Sequence, residues 1–247
     1  MDIILNIFKN WGFSFWWPVD LEYNIKTNGD WRVEVLVGSI LTQNTKWSLV
    51  EKNINLLKLI NFEFSLENLI RIREDLIKVP FKKRKAETIR NVAKFILENF
   101  GSIKNMRKED LFYLRNNLLK IKGIGKETAD VILLYSIEKP IFVIDYYTKM
   151  LLNDFSEYDI LRKKLEKYVK ENFALFEKIL IKKMKEIDCK DALAEYFNYR
   201  DSNKDTPLCI CNYTEVDFHD KLVIIYKELH GMIDTYMKIK KFHSIYF

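Results

Sequence analysis

The residues whose types and spacing could do chemistry are two close glycines and one carboxylate downstream. Gly123 and Gly125 lie two residues apart, and Asp145 ends the apolar run 141–144. Glycine reaches positive φ and has no Cβ, so the backbone N–H groups of such a turn can approach an anion closely. A carboxylate can stabilise positive charge on a nearby sugar. The pattern predicts a device that holds a nucleic-acid phosphate and places an acid near the sugar.

The glycines join two predicted helices. Leucines recur at helical spacing over residues 111–119, and residues 128–133 resume an apolar helical pattern. A helix start offers N–H donors and a positive dipole end, and Lys122 and Lys126 add charge. Such a hairpin would grip a DNA backbone without reading its sequence. Two glycines alone would favour an ordinary helix–helix turn. The downstream Asp145 makes the DNA-binding hairpin the preferred interpretation.

Four segments in this order resemble the helix–hairpin–helix DNA glycosylase superfamily, to which endonuclease III belongs. They are the hairpin and acid over residues 119–145, an LLxxQxT-like segment over 38–45, a KAE element over 85–87, and a weaker Leu-His-Gly match over 229–231. The resemblance covers roughly residues 30–185 and 222–240. The aromatic stretch 15–18 and Trp47 are most similar to small bacterial 3-methyladenine DNA glycosylases.

The resemblance implies an all-α protein with two helical domains and an interdomain cleft. Residues 26–135 would form a helical barrel domain ending in the hairpin. Residues 1–25 and 136–247 would form a second helical domain, with Asp145 at the cleft edge. The composition agrees with an all-α fold, because 7 Gly and 4 Pro are too few for a turn-rich β fold.

The resemblance also implies roles for particular residues. Asp145 would be catalytic; as an alternative, an Asp at this point is a preferred helix N-cap, and both roles are compatible. The base pocket would be formed by Trp16, Trp17, Pro18 and Trp47, whereas we expect Trp11 and Phe13 to be core. The DNA-binding residues would be Gly123, Gly125, Lys126, Thr128, Gln43, Phe81 and Lys82.

Two of these residues, Gln43 and Phe81, are candidates for filling the hole left by a flipped base. Phe81 precedes the basic run 82–85, which we expect to contact DNA beside it rather than to be only a solvated helix face. The alternative for Phe81 is an apolar staple contact at a helix start.

One departure from the family pattern concerns mechanism. Bifunctional members carry a nucleophilic lysine two residues after the second hairpin glycine, and this chain has Glu127 there. Without that amine no Schiff base can form, which indicates a monofunctional enzyme that uses water. The neighbouring Lys126 is rotated by about 100° on the helix and should point elsewhere.

A second departure concerns metal. Many endonuclease III-like chains end in four cysteines that hold an iron–sulfur cluster, and this chain has Cys189, Cys209 and Cys211 at different spacing. We therefore expect no iron–sulfur cluster and no required cofactor, with a monovalent cation at the hairpin left open. A zinc site that adds His219 is conceivable, but three ordinary cysteines are the better interpretation.

The histidines bear on the substrate. His219, His230 and His243 all lie far along the chain from Asp145, so we expect no histidine beside the acid. A 3-methyl or 7-methyl purine is already cationic and leaves as a neutral base without a general acid, which fits this expectation. The leading hypothesis is therefore excision of alkylated purines. The alternatives are a glycosylase for oxidised or mismatched pyrimidines and a non-catalytic DNA-binding protein.

Net charge, the cysteines and the lack of a signal peptide indicate the partners and the compartment. A net charge of +6 and a pI of about 8.9 are compatible with a polyanionic partner. The expected partner is double-stranded DNA containing damaged bases, and we expect a monomer with no membrane association. The absence of a signal peptide and the three cysteines predict a cytoplasmic, nucleoid-associated protein.

Overall fold

The computed structural model describes residues 1–199 and 205–243, and these residues contain helices and no strand. The all-α prediction is confirmed. Contacts divide the chain into two compact units. The terminal unit contains Met1–Pro18, Pro140–Tyr196 and the described part of residues 200–247, and the central unit contains Val19–Lys139 and Phe197–Tyr199.

The helices are listed in chain order: α1 Asp2–Asn10, α2 Leu21–Lys26, α3 Trp31–Leu41, α4 Trp47–Leu59, α5 Leu66–Ile70, α6 Lys82–Phe100, α7 Ile103–Met106, α8 Leu111–Leu118, α9 Lys126–Val131, α10 Tyr146–Leu152, α11 Tyr158–Glu171, α12 Phe173–Met184, α13 Cys189–Phe197 and α14 Phe218–His243. A π-helical segment, Ile132–Ser136, continues α9. Short 3₁₀ turns span Glu74–Leu76 and Ile210–Glu215. Within the described part of the chain, no helix has the length and apolar character needed to cross a membrane.

Helix α3 is the centre of the central unit, because every residue of Trp31–Leu41 is buried. A helix that is apolar on most sides is stable only when surrounded by other elements. Its one buried acid, Glu34, pairs with Lys58 at 2.7 Å and accepts a hydrogen bond from Asn24. Burial raises the pKa of Glu34, while Lys58 opposes that rise.

The start of the central unit differs from the predicted domain boundary. We expected residues 1–25 and 136–247 in the second domain, whereas contacts group residues 19–25, 136–139 and 197–199 with the central unit. Asp20 caps α2 by accepting from Tyr23 N, and Tyr23 Oη donates to the Phe62 carbonyl at 2.9 Å. The Tyr23–Phe62 bond is long-range, and nothing in the local sequence pattern predicts it.

Lys85 on α6 is fully buried. Its Nζ donates to the Leu41 carbonyl at 2.8 Å and to Thr45 Oγ1 at 2.6 Å, which ties α6 to the segment after α3. Desolvation by burial lowers the pKa of Lys85 from 10.5 to about 8. The prediction that the whole basic run 82–85 contacts DNA does not hold for Lys85, because this buried lysine binds the carbonyl end of α3.

The terminal unit is built around α14, whose residues 222–233 are all buried. Gly231 lies against the N-terminal segment: a methyl group added there would lie 2.4 Å from Ser14 Oγ and 3.1 Å from Trp16 Cβ. One turn earlier, Glu228 accepts hydrogen bonds from Ser14 N at 2.6 Å and from Phe15 N at 3.1 Å. Helix α14 thus fixes the backbone of residues 14–16.

We predict that Lys85→Met makes stability less dependent on pH. Because the folded-state pKa of Lys85 is about 8 and its ordinary value is 10.5, the unfolded chain binds more protons between these pH values. Wild-type stability relative to Lys85→Met should therefore rise from pH 8 to pH 10.5, by at most about 3.5 kcal/mol. Urea unfolding across this range measures the difference. The exposed Lys94→Met serves as control, and parallel curves for wild type and Lys85→Met would contradict the assignment.

We predict that Gly231→Ala destabilises the protein by about 1–3 kcal/mol, since the methyl group overpacks against Ser14. Gly12→Ala in the same unit is the matched control, because nothing lies within 4 Å of a methyl group there. Denaturant unfolding of both variants checks this. Equal stability of the two alanine variants would show that α14 does not pack so closely on the N-terminal segment.

Candidate active site

Asp145 directly precedes α10 and caps it. Its Oδ1 accepts hydrogen bonds from Thr148 N and Thr148 Oγ1, both at 2.7 Å. The four preceding residues, 141–144, are almost completely buried and anchor the backbone that carries the acid. The predicted N-cap is confirmed, and one carboxylate oxygen is committed to holding the side chain still.

The other oxygen of Asp145 faces a histidine. Nε2 of His230 lies 3.7 Å from Asp145 Oδ2, and the exposed fractions of the two side chains are 11% and 16%. The carboxylate is therefore not sealed in the interior. The expectation that no histidine lies beside Asp145 is wrong, because α14 packs against α10.

The aromatic N-terminal segment belongs to the same unit. Trp17 is buried, whereas Trp16 and Pro18 are half-buried, and the two tryptophan rings lie 5.3 Å apart. Glu228 and Gly231 fix the segment from α14. These two positions were missed from sequence, although the Leu-His-Gly match points to this turn of α14.

Trp11 and Phe13 are not core residues, contrary to the prediction: both are half-buried. The amino group of Lys183 lies 4.7 Å from the Phe13 ring centroid and donates to the carbonyls of Phe8 and Trp11. The amino group thus contacts both aromatic rings and backbone carbonyls, and desolvation by burial lowers the pKa of Lys183.

The glycine hairpin lies in the central unit. Gly123 has φ +97°, and a methyl group there would lie 2.2 Å from Thr88 Oγ1, so both conformation and space require glycine. Gly125 has φ −95° and precedes α9 without a side-chain cap. Nothing lies within 4 Å of a methyl group at Gly125, which leaves the helix start open.

Two sets of polar contacts, one from Gln43 and one between Arg115 and Asp130, hold the hairpin in shape. Gln43 Nε2 donates to the Gly123 carbonyl at 2.8 Å and to Thr128 Oγ1 at 3.0 Å. Arg115 and Asp130, both buried, join α8 to α9 through bonds of 2.6 and 3.1 Å. The sequence offered Gln43 as a gap-filling residue, and in the structure its side chain joins both sides of the hairpin. The Arg115–Asp130 pair was missed, since neither residue stands out in its helix pattern.

A cationic surface adjoins the hairpin within the same unit. Phe81 precedes α6 with φ +61° and is 59% exposed, and the guanidinium of Arg84 lies 5.1 Å from its ring centroid. An open groove is lined by Phe81, Lys82, Lys83, Arg84, Glu87 and Lys122. The exposure of Phe81 excludes the staple alternative.

The remaining predicted residues are placed as follows. Trp47 begins α4 in the central unit and is half-buried. Lys126 is half-buried in the first turn of α9, and Glu127 beside it is exposed. The side chain of His243 lies outside the described residues.

The three cysteines are free thiols, and Cys211 Sγ lies 3.8 Å from the Cys189 carbonyl. His219 is exposed at the start of α14. Within residues 1–199 and 205–243, no three His, Cys, Asp or Glu side chains are arranged to hold a metal ion.

No family model matches the chain, but one relative of known name does. A Methanocaldococcus jannaschii protein named "Putative DNA repair glycosylase MJ1434" is 34% identical over 214 residues, which are 78% of this chain and 92% of that protein.

Two solved structures are similar. The 3-methyladenine DNA glycosylase MagIII of H. pylori, bound to 1,N6-ethenoadenine, matches with a TM-score of 0.64 and 27% identity over 97% of both chains. A structure of MBOgg1 in complex with a low-affinity DNA ligand matches with a TM-score of 0.48 and 19% identity over 63% of this chain and 60% of that one. The extent of the Methanocaldococcus match, together with the hairpin and the capped acid, shows that the chain belongs to the helix–hairpin–helix superfamily of DNA repair glycosylases.

Proposed function

We propose that this DNA glycosylase excises alkylated purines of the 3-methyladenine type from double-stranded DNA and leaves the strand intact. The observation that carries the proposal is the fixed, partly exposed carboxylate of Asp145 in the unit that also holds the aromatic segment 15–18. The damaged base would be flipped out of the helix, since its glycosidic bond is otherwise out of reach.

Asp145 would act on the sugar. Cleavage of the N-glycosidic bond builds positive charge on the deoxyribose, and a carboxylate stabilises that charge and can orient the attacking water. Opposite unit charges about 4 Å apart gain roughly 4 kcal/mol at an effective dielectric of 20, which is about three decades of rate. The capping bonds to Oδ1 leave Oδ2 as the oxygen for this work.

The substrate class rests on two supports. Trp16 and Trp17 supply electron-rich rings suited to an electron-poor, cationic purine. The similar H. pylori protein, 27% identical over nearly its whole length, is a 3-methyladenine DNA glycosylase. The histidines lend this substrate class no support, because His230 lies next to Asp145.

The DNA backbone would lie on the hairpin. The open start of α9, with Gly123, Gly125, Lys126 and Thr128, suits a phosphate, and Lys82 suits a neighbouring one. Phe81 is better placed than Gln43 to fill the hole of the flipped base, since Phe81 is exposed and Gln43 is bonded to the hairpin. A monovalent cation at the hairpin stays a prediction.

The absence of strand cleavage rests on Glu127. A carboxylate at the position of the family's nucleophilic lysine cannot form a Schiff base with the sugar, so water would be the nucleophile. The product would then be a free base and an intact strand carrying an abasic site.

We predict that the purified protein releases 3-methyladenine from methylated duplex DNA. Chromatography of the freed bases, followed by electrophoresis of the strand with and without alkali, measures base release and cleavage separately. The strand should break after alkali and stay whole without it. Duplexes with uracil or oxidised pyrimidines are the comparison. Release from those duplexes but not from methylated DNA would contradict the proposed substrate, and breakage without alkali would contradict the monofunctional mechanism.

We predict that Asp145→Asn folds and binds DNA but loses about 10²–10⁴-fold in single-turnover excision, since the amide oxygen can still cap α10 but carries no charge. The matched control is Asp188→Asn, another capping aspartate of the terminal unit, whose Oδ1 accepts from Lys190 N at 2.8 Å. Asp188→Asn should excise at the wild-type rate. Near-normal excision by Asp145→Asn would remove this acid from the mechanism.

A further inference from the structure

The two oxygens of Asp145 have different surroundings. Oδ1 accepts two hydrogen bonds of 2.7 Å from Thr148, and these fix its direction along the start of α10. Oδ2 faces Nε2 of His230 at 3.7 Å. The oxygen that the proposed mechanism uses is thus the one beside the imidazole.

The imidazole is itself held in place. The Phe142 ring, three residues before Asp145, meets the His230 ring edge-on with centroids 6.5 Å apart. On α14, Glu228 holds the backbone of Ser14, and Gly231 packs on the same residue. The turn of α14 that carries His230 is therefore fixed on the N-terminal segment, and the His230 ring packs on the segment that leads to Asp145.

We propose that His230 is a positioning residue for Asp145, whose Nε2 edge keeps Oδ2 directed at the reacting sugar. The proposal rests on the proposed function. A separation of 3.7 Å exceeds hydrogen-bond distance, but such contacts are often long without substrate and shorten in the productive complex. Without the His230 contact, only Oδ1 is restrained, and Oδ2 can change direction. A misplaced catalytic group costs up to about a hundredfold in rate.

Two amide variants separate this role from a general structural one. In His230→Gln the side-chain amide nitrogen reaches about as far as Nε2, whereas in His230→Asn it stops one carbon short. Both replacement residues are uncharged and polar, so we expect them to change the stability of the fold by similar amounts. The exposed His219 lies on the same helix, and His219→Gln is the matched control.

The experiment measures single-turnover release of 3-methyladenine and DNA affinity for wild type and these variants, with thermal unfolding to check the fold. We expect His230→Asn to be about ten- to hundredfold slower with unchanged DNA affinity, and His230→Gln and His219→Gln to stay within about threefold of wild type. In an Asp145→Asn background, His230→Asn should have no further effect, because His230 acts only by positioning the Asp145 carboxylate.

Several results would overturn the inference. These are a wild-type rate for His230→Asn, an equal loss in His230→Gln and His230→Asn, or a full further loss in the Asp145→Asn background. Failure of the proposed function looks different: wild-type protein would then release no alkylated purine, or Asp145→Asn would match wild type. If Asp145→Asn is inactive while His230→Asn is normal, the mechanism stands and the role of His230 is lost.

Discussion

The packing of α14 within the terminal unit is the constraint on which the candidate site depends. Three residues of one buried helical turn each contact a different part of the site. Glu228 binds the backbone of residues 14 and 15, Gly231 makes room for that segment, and His230 faces Asp145. A change in the rotation of α14 would therefore disturb the aromatic residues and the acid together.

Buried polar groups make this arrangement specific. A carboxylate as deeply buried as Glu228 is costly unless donors surround it, and the loop supplies two backbone N–H groups and the Ser14 hydroxyl. Burial raises the pKa of Glu228, and these bonds oppose the rise. The central unit uses the same principle: Lys85 secures the segment after α3, and the Arg115–Asp130 pair joins the hairpin helices.

Local features were predictable from the sequence, and long-range contacts were not. The helical class, the positive φ of Gly123 and the cap at Asp145 follow from residue type and spacing over a few positions. The partnership of His230 with Asp145 depends on which helices pack together, which no local pattern specifies. The role of Lys85 could not be predicted for the same reason. In the sequence it looks like the other residues of its basic run, and only the packing of α6 against the end of α3 brings it to a buried carbonyl.

The central claim is that Asp145 stabilises positive charge at the sugar, and binding can test it without catalysis. Duplexes would carry either a cationic pyrrolidine or a neutral tetrahydrofuran ring at an abasic position, and the measurement is the ratio of their dissociation constants. For the wild-type protein we predict that the cation binds about 10²–10³-fold more tightly, and that Asp145→Asn loses this preference. An equal preference in both proteins would contradict the claim.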